Sequence, residues 1–120
     1  MKAPLPQGYA EFITLFNNQK FFEAHEALEA EWHLEKRRND FYKGLIQLAA
    51  ALVHVQKLNI SGAKSLLETS KKYLAPRFPC YQGIDLKKLS DETELIIKKL
   101  ESRQEVSRDL QYPIIELVGN

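Results

Sequence analysis

A chain of 120 residues is long enough to bury one hydrophobic core without disulfides or metal, and its 28% charged and 44% hydrophobic residues are ordinary for a globular domain. Seventeen basic residues against sixteen acidic ones leave a net charge of +1, which argues against the broad basic footprint of a nucleic-acid binder. The single cysteine, Cys80, excludes an intramolecular disulfide and a cysteine-rich zinc site.

Met1 to Gly8, with Pro4, Pro6 and Gly8, reads as an irregular leader without the apolar run of a signal peptide. The longest apolar stretch, Leu48 to Val53, is too short to span a bilayer. The expected address is the cytoplasm, with neither membrane nor nucleic acid as partner. Tyr9, Phe12, Ile13 and Phe16 form the stripe of a first amphipathic helix, which Asn17-Asn18 ends while offering a cap to the next. A second helix is predicted from about Gln19 to Glu35. Its Phe21, His25, Leu28 and Trp32 share a face, Phe22 and Glu29 lie beside them, and Glu23, Ala30 and Glu31 point away.

After a charged connection that includes Arg37 and Arg38, Asp40 is the expected cap of a third helix from Phe41 to about Leu58. Apolar residues cover almost its whole circumference, so it is predicted to be the buried centre of the bundle. Gly44 and the three alanines would let neighbouring helices come close. Gln47 and His54, seven residues apart, lie on nearly the same side.

Asn59 to Gly62 is a turn with Ser61 as candidate cap. A fourth helix then turns Ala63, Leu66, Leu67, Ser70, Tyr73 and Leu74 inward. Pro76 and Pro79 interrupt the chain in a loop, Arg77 to Ile84, and Asp85 caps a short turn through Leu89. A last helix, about 90–104, starts at Ser90 and buries Thr93, Ile96, Ile97 and Leu100. The apolar tail, Tyr112 to Val118, is expected to be extended, folded on the bundle or docked on another chain. No strand pattern competes. The expected fold is all-α: a single domain, 1–120, of five to six mostly antiparallel helices around a buried central helix.

Helix two breaks the usual pattern by setting His25, with Glu29 one turn on, into its apolar face. Residues four apart on a helix stack at about 5–6 Å. If helices two and three form an antiparallel hairpin, His54 and Gln47 converge on the same point. Buried polar groups left without partners cost roughly 1–3 kcal/mol each, so hydrogen bonds, water or a metal ion must satisfy them. Two imidazoles and a carboxylate form a recognised first shell for zinc. In that reading His25, Glu29 and His54 are ligands, Gln47 and Trp32 line the site, and Glu26 is a base if the site opens toward it. In the alternative reading the same residues are a hydrogen-bonded network that fixes helix packing. The zincin pattern is absent, because the residue four after His25 is Glu29, and no histidine follows a glutamate by three as di-iron bundles require.

The run Phe21-Phe22-Glu23-Ala24-His25-Glu26-Ala27-Leu28-Glu29-Ala30-Glu31-Trp32 closely resembles the signature of domain-of-unknown-function family 309, His-x-x-x-Glu-x-x-Trp or Tyr. A second block, Gly44 to Ala51 with His54, Asn59 and Gly62-Ala63, also looks like this bacterial and archaeal family, as does Tyr81 to Asp85. The likeness covers roughly Tyr9 to Leu89. It implies a compact all-α fold and a motif that takes up metal, with no established activity.

The remaining candidates have plain readings. His33 should face away from His25 into solvent, and Cys80 has no base beside it and reads as a loop thiol. Arg37 and Arg38 could contact an anion, although such connections are usually only solvated. Phe78 and Tyr81 read as a lid on one end of the bundle. Together the residues point to a helical domain that binds a divalent metal (zinc, manganese or iron) or a small ligand at His25, Glu29 and His54, with hydrolysis as one use. The rival is a non-enzymatic module that docks a protein partner or a second copy of itself through the tail.

Overall fold

The computed structural model describes residues 5–102 and 110–117. The all-α expectation holds. Five helices, α1 (Gln7–Asn17), α2 (Phe21–Leu34), α3 (Asp40–Gln56), α4 (Ile60–Leu74) and α5 (Leu86–Glu101), carry the core, and a 3-10 turn at Ala75–Arg77 follows α4. None of the described helices is long and apolar enough to cross a membrane. The Met1–Pro4 end of the leader, the last residues of the helix expected to reach 104, and Val118 lie outside the described residues.

Side-chain oxygens set most helix starts. Asn39 accepts from the Tyr42 amide at the head of α3, and Asn59 accepts from the Gly62 amide at the head of α4. Asp40 and Ser61, the expected caps, instead stand inside their helices, one and two residues after the true caps. Asp85 accepts from the Lys88 amide and starts a single continuous α5, so the short turn and separate helix at Ser90 are one element. Ser90 and Thr93 are buried in it, Thr93 donating to the Leu89 carbonyl. Asn17 and Asn18 do not cap α2, whose first turn has no side-chain cap.

Two strands that the sequence reading did not anticipate, β1 (Cys80–Tyr81) and β2 (Ile84–Asp85), pair antiparallel across a two-residue turn. Gln82 and Gly83 both have positive φ, 51° and 82°, the geometry of a mirror-image hairpin turn. With two residues a side and no alternating run, the hairpin left little trace in the sequence.

α3 is the buried axis, packed between α2 and α4, with α1 on α2 and α5 on α4. Phe41, Leu45, Leu48, Ala49, Ala51, Leu52 and Val55 are closed from solvent. α3 and α4 approach closely at Gly44, where a Cβ would lie 2.6 Å from Leu74 Cδ2, and the buried Ser70 hydroxyl donates to the Gly44 carbonyl at 2.8 Å. α3 ends at Gln56, two residues before the expected Leu58, which turns left-handed (φ 59°) and leaves the core.

The tail folds back on its own bundle. Asn17 donates to the Ile115 carbonyl at 2.9 Å and accepts from its amide at 2.7 Å, while Tyr112 covers Phe21 with ring centroids 5.3 Å apart. Pro113 and Ile115 are buried.

At the other end of α1, Tyr9 donates to the Gln82 carbonyl and stacks on Tyr42. Burial, and then the charges of Glu35 and Glu31, push the Tyr42 phenol up to about 12, and burial first, then Tyr42, pushes Tyr9 up as well. Phenols held neutral in the folded state add stability that is complete below about pH 10, the unfolded value. That stability is lost as pH rises through their folded values. Alkaline unfolding followed by phenolate absorbance is expected to start above about pH 10, with Tyr9 and Tyr42 ionising only as the chain opens. Gly44→Ala is expected to cost about 1–3 kcal/mol in urea titration, because Leu74 is fully buried and has little room to yield.

Candidate functional site

α2 turns Phe21, Ala24 and Leu28 fully into the core, which leaves His25 and Trp32 on the margin of that stripe. The His25 side chain is 26% exposed and that of Glu29 43%, so the pair stands at the edge of the interior. His25 Nε2 lies 3.3 Å from Glu29 Oε2, and its ring stacks on the exposed Phe22. Its other nitrogen, Nδ1, faces inward, buried and without a hydrogen-bond partner. The imidazole thus has one nitrogen beside a carboxylate and one beneath the surface.

His33 is solvent-exposed as expected but does not face away from this group. Its Nε2 lies 3.9 Å from Glu29 Oε1, and its Nδ1 accepts from Arg37 Nε at 3.1 Å. A step of four residues turns an α-helix by only about 40° beyond a full turn, so His25, Glu29 and His33 climb one face as a ladder.

Across the seam, α3 runs antiparallel to α2. Gln56 donates to the Gln19 carbonyl at one end, and Lys43 Nζ sits 5.8 Å from the Trp32 ring toward the other. This register places Gln47 between the levels of His25 and Trp32. Gln47 Oε1 and Trp32 Nε1 are buried and, like His25 Nδ1, have no hydrogen-bond partner among the described residues. Glu26 is exposed on the outer side of α2.

His54 does not join the group. It lies near the end of α3, level with the first residues of α2 and one turn short of His25. Its Nδ1 accepts from Asn59 Nδ2 at 3.0 Å, which ties it to the α3–α4 turn. The expected ligand set of His25, Glu29 and His54 is therefore not assembled. Among the described residues no three His, Cys, Asp or Glu side chains are grouped so as to hold a metal ion. The hydrogen-bond acceptor that normally orients a metal-ligating imidazole is also missing at His25 Nδ1 among the described residues. This donor set does not fit a resident zinc, manganese or iron ion. The hydrolytic expectation is left with an imidazole beside a carboxylate, one half of an acid–base pair with no nucleophile next to it. Cys80 is exposed on the β-hairpin, where its thiol is free, and Tyr81 packs edge-on against Phe41 at that end of the bundle, as a lid would.

Residues 9–66, from α1 into α4, match the model of a family described as a domain of unknown function (DUF309). This part of the chain is similar to the DUF309 domain. It contains His25, Glu29, Trp32, Gln47 and His54, and it stops short of the hairpin and α5. An uncharacterised protein of Bacillus subtilis (strain 168), YpuF, is 30% identical over 102 residues, an alignment that takes in 81% of this chain and 59% of that relative. The chain thus spans well under two thirds of the relative's length.

Sequence reasoning gave no part in the site to Asn59 and Lys43, which lie within the matched stretch, or to Tyr73, which lies beyond it. Asn59 holds both the α4 amide of Gly62 and His54. Lys43 lies over Trp32 and, at 4.9 Å, over the Tyr73 ring. The available signal was Lys43 four residues before Gln47, a polar step on an otherwise apolar helix. Added zinc, manganese or iron(II) is expected to leave the melting temperature of the wild type unchanged. Zinc stabilisation abolished by both His25→Ala and His54→Ala would restore the three-ligand set. Asn59→Ala is expected to cost about 1 kcal/mol as a lost cap.

Proposed function

We propose that this protein is a small-molecule-binding module whose ligand lies along the α2–α3 seam, its polar groups taken up by His25, Glu29, Trp32 and Gln47. The reading is carried by three buried polar atoms on that seam, His25 Nδ1, Trp32 Nε1 and Gln47 Oε1, which have no hydrogen-bond partner. A structural network closes on itself, because each unmet member costs roughly 1–3 kcal/mol. These members do not bond to one another. An amide oxygen, an indole N–H and an imidazole nitrogen left open at successive levels of one seam suit a ligand with complementary groups, and the half-exposed Glu29 beside them marks the open side. Binding at such a site exchanges stability of the free protein for affinity.

Substitution tests this before any ligand is known. Gln47→Leu keeps the bulk and removes the open amide, so it is expected to leave stability unchanged or raise it by about 1 kcal/mol. A loss of about 2 kcal/mol or more would mean that Gln47 belongs to a closed structural network, and the binding reading would fall. The chain's single tryptophan, Trp32, supplies a direct signal. A set of polar fragments screened by the indole N–H resonance is expected to give hits in the wild type that disappear in Gln47→Leu. A screen in which no fragment moves that resonance at millimolar concentration counts against the site.

A further inference from the structure

The seam ends at Trp32 in a cluster of cations and rings supplied by three helices and the α2–α3 connection, and this cluster indicates what class of ligand the site takes. The α2–α3 connection turns sharply at Lys36 and Arg37, both left-handed with φ of 56° and 59°, a conformation that non-glycine residues seldom adopt. The turn brings Arg37 back over α2, its Cζ 6.0 Å from the centre of the Trp32 ring and its Nε donating to His33. From α3, Lys43 Nζ stands between the Trp32 ring at 5.8 Å and the Tyr73 ring of α4 at 4.9 Å. Trp32 itself contributes the unpartnered Nε1.

Lys43 and Arg37 have no carboxylate within ion-pair distance among the described residues. The acids nearest them in sequence are otherwise placed: Glu29 lies against His25 and His33, Glu31 accepts from the Gly8 amide, Glu35 accepts from Asn39, and Asp40 is exposed at the first turn of α3. The other half-buried lysine for comparison, Lys71, has Glu94 at 2.6 Å and Glu68 at 3.8 Å. A half-buried ammonium held between two rings, with no counter-charge, is a pre-formed anion receptor. The ring faces fix its position, and the electrostatic demand is left open. Among the described residues Arg37 donates only through Nε, which leaves its terminal amino groups for a two-point contact with an oxyanion.

We propose that the ligand of the seam is an anion, and that Lys43, Arg37 and the Trp32 indole N–H bind its phosphate or carboxylate group while Gln47 and His25 meet its remaining polar atoms. The proposal rests on the seam being a binding site and adds the charge and the orientation of what binds there.

Full-length protein is titrated with inorganic phosphate, with acetate and with sodium chloride at matched ionic strength, and Trp32 fluorescence is read. Phosphate is expected to give a saturable change in the millimolar range that chloride does not reproduce. Its dissociation constant should rise about tenfold in Lys43→Gln and in Arg37→Gln. It should stay within about threefold in Lys43→Arg, and should not move in the control Lys98→Gln on the exposed face of α5. Tighter binding of phosphate than of acetate assigns a phosphoryl compound, and the reverse order assigns a carboxylate; both uphold an oxyanion ligand. If Lys43→Gln does not fold, the exposed Arg37→Gln carries the test. A response no larger than that to chloride, or one unaffected by either substitution, overturns the proposal. The two readings fail separately. Fragment hits lost in Gln47→Leu without phosphate binding leave the seam and remove the anion. Phosphate binding without fragment hits does the opposite, because the cation cluster then acts without the seam.

Discussion

The burial of α3 on nearly every side is the constraint from which the rest of the molecule follows. A helix closed over most of its circumference can carry polar groups only on one narrow strip, and here that strip holds Lys43, Gln47 and His54. α2 and α4 flank it, so every polar side chain on α3 must find a partner on one of them or remain open. His54 finds Asn59 at the α4 turn. Lys43 finds the faces of Trp32 and Tyr73. Gln47 Oε1 finds nothing. The candidate site is thus the consequence of how little room the core leaves for polarity.

The close contact of α3 with α4 sets the width of this strip. Gly44 lets Leu74 seat against the α3 backbone, and Ser70 fills the remaining hydrogen-bonding need of the Gly44 carbonyl. One turn of α4 further on, Tyr73 is thereby carried to the edge of the seam, within reach of Lys43. Packing between small residues at the centre therefore decides which ring meets the ammonium at the surface.

Much of this was legible in the sequence, and for a common reason. Helix periodicity is a property of single segments, so the stripes of α1, α2 and α4 and the all-round apolarity of α3 could be read residue by residue. The marginal position of His25 was visible the same way, since Phe21 and Leu28 bracket it on one face. Relations between segments were harder. His54 shares a side with Gln47, yet the antiparallel register puts it level with the start of α2, one turn short of His25, and register depends on the lengths of connections that spacing does not reveal. Caps were misplaced by a residue or two because Asn39 and Asp40, like Asn59 and Ser61, are chemically equivalent candidates until backbone geometry chooses. The two-residue strands are too short for any periodicity to register. His33 was misjudged for a simpler reason: neighbours in sequence diverge on a helix, but residues eight apart diverge only moderately, and Glu29 spans the difference.

The clasp between Asn17 and Ile115 joins parts of the chain 98 residues apart. On a ribosome, α1 and α2 leave the exit tunnel long before the segment that covers them has been translated. Phe21 then waits without its Tyr112 cover, and the Asn17 carboxamide remains hydrated, until that segment emerges. The tail therefore seats after the helices it covers, and until then the nascent helical bundle keeps an apolar flank open.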